Sequence, residues 1–398
     1  MVGTADGRSA LAGERAGWDR FSRWPRWQAR FGLLAFVLML LAAVAVAWSG
    51  GLEPKAVLPA TQFAEHSAKG VTDPERAGDL ALYDRIVTRL QDGESYYDFI
   101  VEEQRLSGYP VTPGAAVRLP TLAILVASTP PWIQSAAALL LLAAVALSWL
   151  HRLEQEGIGR WPVRAAVVLL LGGNMLLLDS FYHVLHEVWA GGLLALALGV
   201  HRPGRWGLSL AVTALALAIR ELVLPFVLLM AAMAFWRRDW REGCGWGGLA
   251  AAFAVAYFAH LQIIAGQLLP SDIPSASWLA LDSLSGWLSK LVLSSQLHAM
   301  PSVLAAPAVI CALAGWAGWR SAAGSFGTLM FLGYGLAFMI AGRSENFYWG
   351  LLVVPLLYIG FALAPSAILS LVRAARLQSI LEGRLMVCKQ YVLQRRGA

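Results

Sequence analysis

The chain has 398 residues and a formal net charge of +6, yet only 14% of its residues are charged and 58% are hydrophobic. Its mean hydropathy is +0.59, whereas soluble domains run near ~25% charged and ~45–50% apolar. That balance excludes a disordered chain, a nucleic-acid-binding domain and an ordinary soluble enzyme, and it predicts an all-α, multi-span helical membrane protein. Membrane lipids are therefore expected neighbours and nucleic acid is not. The charge bears on sidedness instead.

Apolar runs predict ten spanning helices, at 31–48, 132–150, 165–178, 188–200, 206–219, 222–236, 245–266, 301–318, 325–341 and 350–372. A basic arm over 1–30 leads into the first, Phe31 to Trp48, which reads as an uncleaved anchor. The alternative is a cleaved signal peptide ending near Ala43, Ala45 and Ala47. A large first extracytoplasmic loop follows, 49–131, with charged helical stretches near 78–92 and 95–106. Arg85 and Arg89, four apart on the first of these, read as a solvated face. After Tyr109-Pro110-Val111-Thr112-Pro113 comes an apolar stretch from Leu119 to Ala127. Nine helical residues rise only about 14 Å against a ~30 Å hydrocarbon core, so this reads as a half-inserted helix. In the outer loop 267–300, Trp278, Leu281, Leu284, Leu288 and Leu291 recur at helical spacing. That spacing predicts a helix lying in the interface plane. The tail over 373–398 is basic and amphipathic and reads as an inner-surface helix.

The distribution of charge fits this topology. Of the 31 Lys and Arg residues, 21 fall on the proposed inner side, and 7 of the remaining 10 lie in the long first loop, where the bias is weak. Acidic residues lean outward, 17 of 25. The expected protein is a multi-pass protein of a bacterial inner membrane with both termini cytoplasmic. Cys244, Cys311 and Cys388 all fall on inner loops or in spans, so no disulfide framework is expected.

Four consecutive spans, from 165–178 to 222–236, are only 13–15 residues long. Each reaches roughly 20–22 Å, short of the ~30 Å core. Arg164, Arg202, Arg205, Arg237 and Arg238 fix their inner ends, so the shortfall falls outside. There the chain carries Asp179, Tyr182, His183, His186 and Glu187 in one turn, and Arg220-Glu221 in the next. Ionisable groups at that depth mark function unless they pair, and they predict a polar, outward-open cavity. An ordinary structural pair between Arg220 and Glu221 is the alternative. His183 and His186 lack the spacing of a zinc motif and read as hydrogen-bonding groups for a ligand; no metal or cofactor is expected.

The first outer loop holds Gly78-Asp79-Leu80-Ala81-Leu82-Tyr83, then Gly93 and Tyr97, then Tyr109-Pro110. Asp79 and Tyr83 share a helical face, and Asp79 is equally well placed to cap that helix. This Asp-x-x-x-Tyr, Gly-x-x-x-Tyr, Tyr-Pro series resembles the GT-C glycosyltransferase superfamily, nearest the polyprenol-phosphate-mannose-dependent mannosyltransferases. Where that family often has Tyr-Pro-Pro, this chain has Tyr109-Pro110-Val111. The resemblance implies a GT-C-like fold and an inverting transferase using a polyprenyl-phosphate sugar, mannose in the nearest family. It also implies that Asp79 is the general base, with Tyr83 and Tyr97 beside the substrate. The acceptor would be a hydroxyl on a lipid or envelope glycan.

The chemistry makes its own demands. A hydroxyl acceptor needs a carboxylate to take its proton, and a lipid phosphate leaving group needs cationic donors. Arg118, Arg220 and Arg343 are the outer-side candidates, with Glu187 and Glu221 lining the same cavity. Arg343-Ser344-Glu345-Asn346-Phe347-Tyr348-Trp349 mixes polar and aromatic groups, and Glu345, Asn346 and Tyr348 suit a sugar ring. The other reading of that turn is an aromatic interface anchor with a snorkelling Arg343. A transporter or lipid flippase would use the same cavity, with Asp179, Glu187 and Arg220 as its polar path.

Overall fold

The computed structural model describes residues 17–52 and 78–376. Residues 1–16 of the basic arm, 53–77 of the first outer loop, Cys388 and all but the start of the expected tail helix lie outside the described residues. The described chain is all-helical: α1 (Arg26–Trp48), α2 (Asp79–Gln91), α3 (Tyr96–Leu106), α4 (Thr121–Ser128), α5 (Pro131–Gln155), α6 (Arg160–Gly173), α7 (His186–Val200), α8 (Gly207–Ile219), α9 (Leu224–Trp236), α10 (Trp240–Ala265), α11 (Ser283–Leu293), α12 (Ser302–Gly318), α13 (Ala322–Ile340) and α14 (Val354–Arg376). A helix covers each of the ten apolar runs. Five of them, α1, α5, α10, α13 and α14, are long and apolar enough to cross a membrane. The protein is a helical, multi-pass membrane protein.

The shorter helices have local causes. Pro225 opens α9 where a missing N–H is harmless. Between α8 and α9 the chain leaves helical geometry at Arg220 (φ −145, ψ 115), so 206–236 is two helices and not one. The 13 residues of α8 and of α9 each rise only ~20 Å.

Small residues let the long helices approach. On α12, a Cβ at Gly315 would strike the Gly360 carbonyl of α14 and lie 2.8 Å from the Ala364 amide. The Trp316 indole N–H crosses the same seam to the Leu356 carbonyl at 3.0 Å. Without a hydrophobic driving force between spans, backbone approach of this kind supplies the packing.

Two local expectations are corrected, and a third is refined in its bounds. Arg85 and Arg89 are not a solvated face. Arg85 bonds Glu103 at 2.8 Å, and Arg89 bonds Glu94 at 2.6 Å and Glu103 at 3.4 Å, tying α2 to α3. The helix expected in the interface plane spans only Ser283–Leu293, leaving Trp278 and Leu281 outside it. It does not lie free, because Leu288 and Leu291 are fully buried and a Cβ at Gly286 would touch the Phe338 carbonyl of α13 at 2.6 Å. The stretch from Leu119 to Ala127 forms an eight-residue helix, α4, whose Leu122 and Val126 are buried while Ile124 and Leu125 are 44% exposed.

Gly315→Val should force α12 and α14 apart. The expected loss is about 1–3 kcal/mol or more, read as a lower thermal midpoint in detergent. Gly333→Ala on α13 meets open space and should leave that midpoint unchanged.

Candidate active site

The site is assembled from three distant stretches of chain. The first is α2 with the segment running up to α4. Gly78 caps α2 in the left-handed region, φ +70, which leaves Asp79 as the first helical residue. The capping role considered for Asp79 therefore falls to Gly78. Asp79 instead accepts a hydrogen bond from the Tyr348 hydroxyl, 3.3 Å away and 269 residues on. Tyr109 faces the same carboxylate. Burial, then the Asp79 charge, pushes both the Tyr348 and Tyr109 phenols up, so each stays protonated and able to donate.

Arg118 comes from the same loop. Its backbone is held by two ties, the Tyr96 hydroxyl on its own carbonyl at 2.7 Å and the His260 ring on the Val117 carbonyl at 3.2 Å. Tyr97 contributes at one remove: its hydroxyl bonds the other nitrogen of His260 at 3.1 Å. The Arg118 side chain reaches the Tyr83 hydroxyl at 3.5 Å and Glu221 at 3.7 Å. Burial, only partly offset by Arg118, pushes the Tyr83 phenol up to about 12.

The second stretch is the N-terminal ends of α7 and α9 with the C-terminal end of α8. Arg220 is fully buried at the break between α8 and α9. Its Nε donates to Glu187 at 2.6 Å, and its Nη1 pairs with Glu221. Its Nη2 is buried with no partner. His186 packs edge-on against Tyr83, ring centres 5.1 Å apart, and is buried beside the Leu119 backbone.

The third is the 3-10 segment Ser344–Leu352, kinked at Asn346. It delivers Tyr348 to Asp79 and sets the Trp349 ring 6.0 Å from the Arg220 guanidinium. The Trp349 indole N–H is a further buried donor without a partner. Asp79, Arg118, Tyr83 and Glu187 all lie near enough to act electrostatically on the Tyr348 phenol.

Asp79, Tyr83, Arg118, His186, Glu187, Arg220, Glu221 and Tyr348 thus come together. His183, Arg343, Glu345 and Asn346 do not join them. His183 turns to the Leu177 carbonyl at 3.1 Å. Arg343 pairs with Glu345 at 2.6 Å and reaches the Ala276 carbonyl at 3.4 Å, too committed locally to act beside Arg220. The Asn346 carboxamide accepts from the Arg343 amide at 3.1 Å and serves the turn itself. Sequence reading passed over Tyr96 and His260, and it gave no role of their own to Tyr109 and Trp349, which lie in motifs it had marked. A lone histidine in an apolar span was the available signal for His260.

Where an outward-open cavity was expected, the described charges are paired, Arg220 with Glu187 and Glu221, and Arg118 with Glu221. Between α2, α4 and α7 lies a narrow space of about 10 Å³, lined by Tyr83, Arg118, His186, Ile86, Leu122 and Val126. That is room for about one water. Among the described residues no group of three His, Cys, Asp or Glu is placed to hold a metal.

Compared with known proteins, the chain matches no family model, no curated protein and no solved structure.

Removing one partner of a buried pair strands the other charge. Glu187→Ala should cost about 3–5 kcal/mol, seen as a large fall in thermal midpoint. Arg343→Gln breaks a pair with side chains 25% and 44% exposed, so it should cost at most about 1 kcal/mol. Equal midpoints for the two variants would refute the buried assignment of Glu187 and Arg220.

Proposed function

We propose that the protein is a GT-C-like glycosyltransferase of about ten spans. It moves a sugar, mannose in the nearest family, from a polyprenyl-phosphate donor to a hydroxyl acceptor on a lipid or envelope glycan at the extracytoplasmic face. The observation that carries the reading is the meeting of Asp79 with Tyr348 near the buried Arg220, whose Nη2 has no partner, and the partly buried Arg118, whose pair with Glu221 is 3.7 Å long. A transferase of this kind needs one carboxylate free of ion pairing and cations for a departing phosphate. Among the described residues Asp79 has the Tyr348 and Tyr109 phenols as neighbours and no ion-pair partner.

In this mechanism the acceptor hydroxyl enters between Asp79 and the sugar. Asp79 takes its proton as the oxygen attacks C1 from the face opposite the phosphate, and the configuration inverts. The C1–O bond to the phosphate breaks, and the lipid phosphate leaves with the bonding pair. Arg118, through its long pair with Glu221, and the open Nη2 of Arg220 take up that charge. The lipid phosphate is already a reasonable leaving group, so no general acid is required.

Asp79→Asn keeps shape and hydrogen bonding but removes the base. Sugar transfer from a purified polyprenyl-phosphate donor should fall about 10²–10⁴-fold, with an unchanged thermal midpoint. Arg118→Gln should lower kcat/KM about 10–100-fold, as for one lost charged hydrogen bond. Full transfer by the Asp79 variant would remove the base assignment. Movement of an unaltered lipid carrier across vesicles, with no transfer, would favour a flippase.

The ten-span topology has its own check. Cysteines placed near Glu94 and Asn346 should react with an impermeant thiol reagent from outside, and cysteines near Arg160, Arg238 and Arg320 should not. Outside labelling at Arg238 would sink the topology and the extracytoplasmic placement of the site.

A further inference from the structure

A buried ammonium is costly unless its surroundings compensate it. Lys290 on α11 is 1% exposed, and its Nζ donates to the Gly342 carbonyl at 3.2 Å. The Phe338 ring lies 5.9 Å from it. Burial draws its pKa below the usual lysine value, against a weaker opposing pull from Asp282 and Glu345. Every other buried residue on this helix is Gly, Trp, Leu or Val, so an apolar residue would suit the position better on stability alone.

The location explains the exception. Gly342, at φ +88, sits where a Cβ would lie 3.1 Å from Lys290 Cε and 2.8 Å from the Trp349 ring. A Cβ at Gly350 would run into the Lys290 carbonyl. One helical turn on, the Ser294 hydroxyl donates to the Phe347 carbonyl at 2.7 Å. The helix α11 therefore grips the 342–350 segment before, beside and after Tyr348.

We propose that Lys290 is a positioning residue: with Ser294, it fixes the 342–350 segment so that Tyr348 meets Asp79 and Trp349 faces Arg220. The effect on transfer rests on the glycosyltransferase reading; the grip on the segment does not.

Lys290→Met keeps the unbranched stem and removes the ammonium. Because it relieves a buried charge, the thermal midpoint of the full-length protein should hold or rise. The Gly342, Arg343 and Asn346 amides, bonded to Trp278, Asn346 and Arg343 respectively, should exchange deuterium about tenfold faster. Transfer should lose about tenfold in kcat with donor KM within about twofold, since Tyr348 serves the base while Arg220 keeps its ties to Glu187 and Glu221 when Trp349 loosens. Ser294→Ala severs the second tie and should give the same pattern more weakly, which decides the matter if the Met variant does not fold. Exchange across 342–348 at the wild-type rate in the folded variants overturns the proposal. Absence of transfer in the wild-type protein would count against the glycosyltransferase reading alone, and the exchange result would still judge the grip.

Discussion

One guanidinium organises the end of the helix bundle where α8 gives way to α9. Arg220 sits at the break between two apolar helices with no exposed surface, and a cation there is tolerated only because Glu187 and Glu221 meet it. Two carboxylates against one guanidinium leave a negative remainder in a poorly polarisable place. Arg118 supplies the second cation through Glu221. It arrives from the first outer loop, so charge balance requires that loop to fold down over the helix ends. The ties that Tyr96 and His260 make to the 117–118 backbone hold it there. Docking of the loop then brings α2, and with it Asp79, to the site.

The four groups Arg118, Glu221, Arg220 and Glu187 sum to zero, and Asp79 stands apart from that sum. Phenols donate hydrogen bonds without neutralising charge, so Tyr348 and Tyr109 orient the carboxylate without pairing it. An incoming phosphate would compete with Glu221 for Arg118, the longest ion pair of the cluster at 3.7 Å.

The sequence was most legible where composition alone decides. Apolar length marks a helix whatever surrounds it, and helices cover all ten apolar runs. The break at Arg220 was legible too, because a single helix there would bury Arg220 and Glu221 at mid-bilayer. Amphipathic spacing was less informative. The run containing Leu284, Leu288 and Leu291 has one apolar face, and nothing local distinguishes a face turned to lipid from one turned to α13 and the Ser344–Leu352 segment. Arg85 and Arg89 misled for a similar reason: their partner Glu103 lies on the next helix, beyond the reach of i,i+4 spacing.

The candidate site divides along the same line. Asp79, Arg118 and Arg220 stood out because charge in or beside an apolar chain demands an account. Arg343 stood out equally, yet its own neighbour Glu345 satisfies it, since two exposed side chains two residues apart can pair without help from the fold. Tyr348 is the opposite case. A tyrosine in an aromatic turn is ordinary at a membrane interface, and its meaning comes only from contact with a carboxylate 269 residues away. That contact depends on α11, which the sequence offered as a surface helix and which is in fact the floor beneath the turn. A misread face on one short helix therefore hid the support of the site, while the charged groups the site uses remained in plain view.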